Sequence, residues 1–341
     1  GRLRGGLGLV NVISSMLFGG ISGSSVSDTA SIGSILIPEM KKRGYPENFA
    51  AGITVASSTM GMIIPPSIPM VLYAVTAQES VGRLFLGGVF PGILVGLLQL
   101  LITSYLSNKY RYPRESKPVS MRLIFEMTFK YSYILLMPFF VVGSVIFGIA
   151  TPTESAALGV FYALILGSLI LKTLTPGKIF SALKTSSLTS AKIMIIIAFS
   201  KIFIWVLAFE RVPDKLAEII QGLGLQPNSM LFLFVFIILI TGTFIDVSPA
   251  ILLFTPVFLP SIINMAISPI LFGVILVIGL AVGACTPPVG NCLNVCSIIT
   301  GISVGKIFKG AAPFLFANII TLFLIIIFPD IVMWLPTIIM N

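Results

Sequence analysis

The sequence has no histidine, only three cysteines and few charges, with 10% of its 341 residues being Asp, Glu, Lys or Arg. Without histidine there is no His-based catalytic triad, no His-ligated zinc or haem and no imidazole proton relay. Cys285, Cys292 and Cys296 stand in or beside an apolar run. One C-x3-C pair without a second pair is a poor metal signature, so helix packing is their expected role. Ordinary soluble domains carry roughly 25% charged residues, and the shortage here excludes a soluble globule. The chain opens on Gly1 rather than Met and shows no signal-peptide pattern, so it is expected to be incomplete at its N-terminus.

Apolar residues are abundant: 56% of the chain is hydrophobic and the mean hydropathy is +1.07. Apolar segments run from 8 to 38, 46 to 77, 84 to 107, 126 to 149, 152 to 171, 188 to 209, 228 to 266, 269 to 300 and 311 to 334. A helix of about 20 apolar residues crosses about 30 Å of hydrocarbon, so the expected fold is an all-α polytopic membrane protein. The net charge of +9 comes from 21 Lys and Arg against 12 Asp and Glu. These lie in short loops between apolar runs, a topology signal rather than a nucleic-acid surface.

Three apolar stretches are too long or too broken for one helix. The first contains Gly19 to Asp28, a glycine and serine cluster with a carboxylate that favours neither a helix interior nor bare lipid. Arg2 and Arg4 precede this stretch and Lys41, Lys42 and Arg43 follow it, so both ends belong inside and the stretch is a re-entrant hairpin. Two crossings then place Lys109 to Arg122 inside, and two more place Lys172, Lys178 and Lys184 inside. No Lys or Arg lies between Lys215 and Lys306. The loops near Gln226 and Ile267 therefore belong outside, and 228 to 266 is a second hairpin of opposite orientation. Ile179, Phe180, Leu183 and Lys184 suggest a short surface helix, and Val212 to Leu223 a second one, with Asp214, Lys215 and Glu218 opposite Leu216, Ile219 and Ile220.

Two regions share a pair of spacings. Asp28 precedes Pro38 by ten residues, as Asp246 precedes Pro256; Gly61 precedes Pro65-Pro66 with three residues between, as Gly283 precedes Pro287-Pro288. The separation from Asp to the Pro pair is 37 residues in one copy and 41 in the other, a difference of about one helical turn. Hairpin plus broken helix, repeated in opposite orientation, is the inverted-repeat arrangement of secondary transporters. Pro pairs deprive the carbonyls of Gly61 to Ile64, and of Gly283 to Thr286, of helical partners. A sodium ion suits such oxygens, with Ser57, Ser58, Thr59 and Thr286 as further donors. The half-helices starting at Pro66 and Pro288 would offer positive ends to a carboxylate. A helix-capping role competes for Asp28 and Asp246, and Thr151-Pro152-Thr153-Glu154 reads as a helix start. Lys192, Lys201 and Glu210 read as snorkelling side chains.

The stretches GGISGSSVSDTASIGSILIPEMKKRGY, SSTMGMIIPPSIPM, GIATPTESAALGVFYAL, DVSPAILLFTPVFLP and TPPVGNCLNV resemble the large membrane (M) subunit of tripartite ATP-independent periplasmic (TRAP) transporters. The resemblance implies a sodium-coupled importer of organic acid anions (C4-dicarboxylates, sialic acids or sugar acids) in the bacterial inner membrane. It implies a periplasmic substrate-binding protein and a small membrane (Q) subunit as partners, membrane lipid around it, no nucleic acid and no cofactor beyond the coupling sodium ions. It also implies an elevator mechanism. Carried over residue by residue, the first sodium position involves the tip from Ser22 through Ser25 to Asp28 with Gly61, Ile64 and Pro66. The second involves Gly242 and Asp246 with Gly283, Thr286 and Pro288, and substrate lies near Ser24, Ser25, Ser67, Pro288 and Asn291. The expected organisation is a first transport repeat over 5–77, scaffold and interfacial helices over 78–227, a second transport repeat over 228–300 and a terminal membrane helix over 301–341. The family has scaffold helices ahead of the first hairpin, where this chain has four residues before Gly5. A stand-alone sodium-coupled anion carrier is the alternative function. An intramembrane enzyme would need Asp28 and Asp246 as an acid pair, and no second catalytic feature accompanies them.

Overall fold

The computed structural model describes residues 4–114, 121–213 and 226–340, with residues 215, 218, 222 and 224 between the last two stretches. Among the described residues every regular element is a helix, and six helices are long and apolar enough to cross a membrane.

The first apolar stretch forms α1 (Gly6–Ser22) and α2 (Ser25–Lys42). Gly23 ends α1 in the left-handed region at φ 63°, its N–H bonded to Gly19 O at 3.2 Å, and extended Ser24 starts the return. The interruption expected over Gly19 to Asp28 thus shrinks to two residues. Gly19 and Gly20 stay helical because their missing side chains serve close packing: a Cβ on Gly19 would lie 3.0 Å from the Gly61 backbone. The second hairpin is α11 (Pro227–Gly242) and α12 (Val247–Asn264), whose two helices touch each other little.

The first broken helix runs as α3 (Glu47–Ser58), α4 (Met60–Ile63), an extended link and α5 (Ile68–Ala77). The second runs as α13 (Pro269–Gly283), a link from Ala284 to Gly290, and α14 (Asn291–Thr300). Both Pro–Pro bonds are cis. The helices resume at Ile68 and Asn291, not at Pro66 and Pro288 as the sequence suggests. A residue ahead of proline is driven out of the helical region, and Ser67 and Gly290 then take the N-cap positions.

Each hairpin packs on the broken helix that follows it and reaches across to the other: α2 lies against α14, and α12 against α5. All residues of α13 from Ile270 to Gly283 are buried, which puts this helix at the centre of the fold. Around it lie α6 (Val81–Lys109), α15 (Val304–Ile327) and α16 (Asp330–Ile339). The terminal segment expected over 311–334 is therefore two helices, the first starting at Val304. Outside this cluster lie α7 (Met121–Lys130), α8 (Ser132–Ile146), α9 (Pro152–Ile165, extended by a π turn over Leu166–Ile170) and α10 (Pro176–Phe209). Their large apolar side chains, such as Phe161, Phe199 and Trp205, are exposed, as lipid-facing groups are.

The surface helix expected around Ile179 to Lys184 is not separate. Thr175 caps α10 through Lys178 N, and with no Pro or Gly after Gly177 the helix continues unbroken into the apolar run. Lys192 and Lys201 are exposed on it. Thr151 and Glu154 form a reciprocal capping box at the start of α9, the structural role read from the sequence. Of the expected helix from Val212 to Leu223, residues Asp214, Leu216, Ile219, Ile220 and Leu223 lie outside the described residues.

Candidate cation and substrate site

Asp28 sits in the first turn of α2 and is completely buried. Ser22 Oγ, at the end of α1, donates to Asp28 Oδ1, while Oδ2 has no partner among the described residues. Gly61 lies directly opposite, so close that a Cβ there would overlap Oδ2. A buried carboxylate costs several kcal/mol unless charge or hydrogen bonds compensate it, at roughly 1–3 kcal/mol for each unmet polar group. An orphaned carboxylate oxygen facing a broken helix is suited to a cation.

The surrounding backbone is held in place. Gly23 O accepts from Ile68 N at 3.2 Å, fastening the hairpin tip to the restart of the broken helix. At 3.2 Å, Ser24 N donates to Ser22 Oγ, whose one proton goes to Asp28 Oδ1. Ser67 donates to Met62 O at 2.5 Å and caps α5 by accepting from Met70 N at 3.3 Å. The Met62 carbonyl, expected to be left free by the proline pair, is therefore taken. Ile64 is extended and half-buried, as is Pro66 beside it. A recess of about 270 Å³ opens between Ser22 and Gly23 on one side and Pro66, Ser67 and Ile68 on the other.

The second half mirrors several of these contacts and departs in one. Thr243 O, at the tip between α11 and α12, accepts from Val289 N at 3.1 Å, the counterpart of the Gly23 to Ile68 bond. Gly242 and Gly283 cross at backbone contact: a Cβ on Gly283 would lie 2.6 Å from Gly242 Cα. Asp246, however, is exposed and accepts from Asn291 Nδ2 at 2.8 Å. It holds the N-cap position of α12, yet its side chain caps no backbone N–H; nor does Asp28, whose oxygens face Ser22 and Gly61. Gly242, Asp246, Ala284, Gly290 and Asn291 line a cavity of about 10 Å³, enough for one water-sized sphere.

Carbonyls around the second break are partly satisfied. Gly283 O accepts from Thr286 N at 2.9 Å and Ala284 O from Cys292 N at 3.0 Å. Thr286 Oγ1 turns back to Val282 O at 2.7 Å, so its hydroxyl proton is spent within its own helix while its lone pairs remain. Pro288 is exposed.

The residues expected around substrate meet in part. Ser25 is buried, donates to Met62 Sδ at 3.6 Å and accepts from Cys292 Sγ at 3.2 Å, tying the first hairpin to the second broken helix beside Asn291. Ser24 and Ser67 flank the first tip, Pro288 and Asn291 the second. All three thiols are free and buried.

Among the buried carboxamides that sequence reasoning missed, two meet each other. Gln99 on α6 and Asn318 on α15 are fully buried and converge on the end of α3. The available signal was a lone amide inside an apolar run: Leu97-Leu98-Gln99-Leu100-Leu101 and Phe316-Ala317-Asn318-Ile319-Ile320.

Two broken helices, each fastened to a hairpin tip and each facing a carboxylate, in a chain whose described elements are all helices with much apolar surface exposed, define a membrane permease. Residues 1–331 match the family described as "Tripartite ATP-independent periplasmic transporter, DctM component". The chain is 35% identical over 336 residues to the C4-dicarboxylate TRAP transporter large permease protein DctM of Pseudomonas aeruginosa, covering 98% of this chain and 78% of that one. It is 34% identical over 336 residues to the sialic acid TRAP transporter large permease protein SiaM of Vibrio cholerae, with the same coverage of 98% and 78%. To the isethionate TRAP transporter permease protein DctMQ of Oleidesulfovibrio alaskensis it is 36% identical over 313 residues, 92% of this chain and 49% of the relative, so it spans about half the length of that protein. The chain belongs to the DctM-component family of TRAP transporters. It is a transport permease rather than an enzyme, and a multi-pass protein of the bacterial inner membrane.

Proposed function

We propose that this chain performs sodium-coupled import of an organic acid anion delivered by a periplasmic substrate-binding protein, together with a small membrane (Q) subunit. The observation that carries the reading is the Asp28 seat, a fully buried carboxylate with one oxygen unpartnered, set against Gly61 of a broken helix. A cation bound there neutralises the charge, and the cavity lined by Gly242 and Asp246 supplies a second position, to which we assign Gly283, packed on the Gly242 backbone, with Thr286 and Pro288 of the same break. The helix N-terminus at Asn291, which no side chain caps, offers backbone N–H groups to a carboxylate, and the hydroxyls of Ser24, Ser25 and Ser67 border its position, the N–H groups at Ile68 and Met70 being taken by Gly23 O and Ser67 Oγ.

The two halves act as inverted repeats. In support, both have the order hairpin, broken helix, and both fasten tip to link by one backbone bond. The distribution of Lys and Arg gives them opposite orientations. The packed cluster around α13 moves as an elevator against the peripheral helices α8 to α10. Relatives named for C4-dicarboxylate, sialic acid and 2,3-diketo-L-gulonate support an organic acid anion as cargo. Each excess positive charge carried inward gains about 2.3 kcal/mol per 100 mV of membrane potential.

The test is substrate-stimulated sodium-22 uptake into proteoliposomes holding the full-length protein and its Q subunit, with and without the cognate binding protein. Uptake only when the binding protein is present supports the tripartite reading. Uptake without it makes the chain a stand-alone carrier, and transport indifferent to sodium overturns the coupling.

A further inference from the structure

The two breaks are held by different means. Around the second, the contacts lie within the link, where Asn294 Nδ2 donates to Val289 O at 2.6 Å and Cys292 N to Ala284 O, or go to its own hairpin, where Val289 N meets Thr243 O and Asn291 meets Asp246. The start of the first break, where α3 stops at Thr59, is instead gripped from outside. Gln99 Nε2 donates to Ala56 O and to Asn318 Oδ1, each at 3.1 Å. Asn318 Nδ2 donates to Thr59 Oγ1 at 2.8 Å, and Thr59 Oγ1 donates to Ala56 O at 2.6 Å. These four groups close a ring that is fully buried.

We propose that Gln99 and Asn318 are positioning residues for the cation seat at Asp28 and Gly61, acting through Thr59. The proposal rests on the sodium reading above. Thr59 stands two residues before Gly61, and its backbone N–H already bonds Ala56 O at 3.3 Å, three residues back, in place of the α-helical partner four residues back. That tightened turn sets the direction in which α4 leaves α3, and hence where Gly61 meets Asp28. The ring fixes it by occupying Ala56 O with a carboxamide and Thr59 Oγ1 with another. Gln99 belongs to a face of α6 that follows the break closely: a Cβ on Gly88 would lie 2.5 Å from Ile63 O, and one on Gly92 2.5 Å from Ile64 Cγ1. A helix seated this closely transmits its own position to the break. Gln99 Oε1 has no partner among the described residues, which marks the amide as held there for its donors.

The experiment is sodium-22 binding, by scintillation proximity, to the purified full-length protein with its Q subunit, with thermal melts run in parallel. The variants are Gln99→Leu, Asn318→Ala, Thr59→Val and Thr59→Ser. The first three are expected to raise the half-saturating sodium concentration at least five-fold. Thr59→Ser, which keeps the hydroxyl, stays within two-fold of the unaltered protein. Thr59→Val with Asn318→Ala is expected to cost less than the sum of the two single variants, because both remove the Asn318 to Thr59 contact. Thr59→Val replaces the hydroxyl by a methyl group of similar size, so it reads the contact even if the carboxamide variants fold poorly. Unchanged half-saturation in folded Thr59→Val, or an equal shift in Thr59→Ser, overturns the positioning role. Absence of sodium binding by the unaltered protein overturns the sodium reading itself.

Discussion

Gly61 faces the Asp28 carboxylate across the first break with no room for a side chain between them. Gly61→Ala would force a methyl group onto Oδ2, and because Asp28 is anchored through Ser22 the carboxylate cannot swing away freely. Overpacking of this kind costs about 1–3 kcal/mol, so the melting temperature should fall and sodium-22 binding should drop at least ten-fold. A folded Gly61→Ala protein that binds sodium normally would show that the seat is not between these residues.

Asp28→Asn separates charge from shape. Without sodium the variant should unfold no earlier than the unaltered protein, since a buried carboxylate with an unpartnered oxygen is itself a burden on the fold. With sodium the two should diverge. A ligand at 100 times its Kd stabilises the native state by about 2.7 kcal/mol, and the unaltered protein should show that rise in melting temperature as sodium is added. Asp28→Asn should lose the larger part of it and show sodium-dependent uptake at least ten-fold lower. A full sodium shift in the variant would place the cation elsewhere.

Much of this arrangement was legible in the sequence because each feature breaks a rule of membrane helices in plain view. A carboxylate ten residues ahead of a proline and a Gly-x3-Pro-Pro pattern, each present twice, pointed to both helix pairs and both breaks, helped at the first by a glycine and serine cluster and at the second by the lack of Lys and Arg between Lys215 and Lys306. Helix limits were less legible. The sequence placed an interruption over Gly19 to Asp28, but glycine serves equally for unwinding and for close approach, and only the position of Gly61 decides between them. Likewise the connector before Leu188 read as a surface helix because its residues are amphipathic, whereas nothing local could show that α10 continues through it. Gln99 and Asn318 escaped notice because a single amide in an apolar run carries no spacing, and their partners lie 43 and 259 residues away in the chain.

Gly242 and Gly283 give an asymmetric pair of outcomes. A Cβ on Gly283 points into the Gly242 backbone at 2.6 Å from its Cα and carbonyl oxygen, and backbone cannot give way as a side chain can. A Cβ on Gly242 meets Gly283 Cα and Leu280 Cδ2 at 3.3 Å, a distance that shifts of a few tenths of an ångström relieve. Gly283→Ala should therefore cost about 3 kcal/mol or more, above the effect of Gly242→Ala, for which about 1 kcal/mol is expected. Thermal melts of the two single variants check the order, and equal losses would mean the crossing is looser than the structure shows.

Asn291→Ala tests the exposed end of the site. Its amide is the partner given to Asp246 by the fold, and the pair bridges the start of α12 and the start of α14, the elements that border the second cavity. Because Asp246 is exposed, water replaces the lost hydrogen bond, and the stability change should stay within about 0.5 kcal/mol. Transport has no such substitute, since the carboxylate loses the contact that fixes its direction toward Gly242 and Gly290. Uptake should fall at least ten-fold while the melting temperature holds, and Asn291→Asp should be no better, because two carboxylates at hydrogen-bond distance repel. Normal uptake by Asn291→Ala would show that Asp246 needs no orienting partner and that the second position is set by the Gly242 and Gly283 backbone alone.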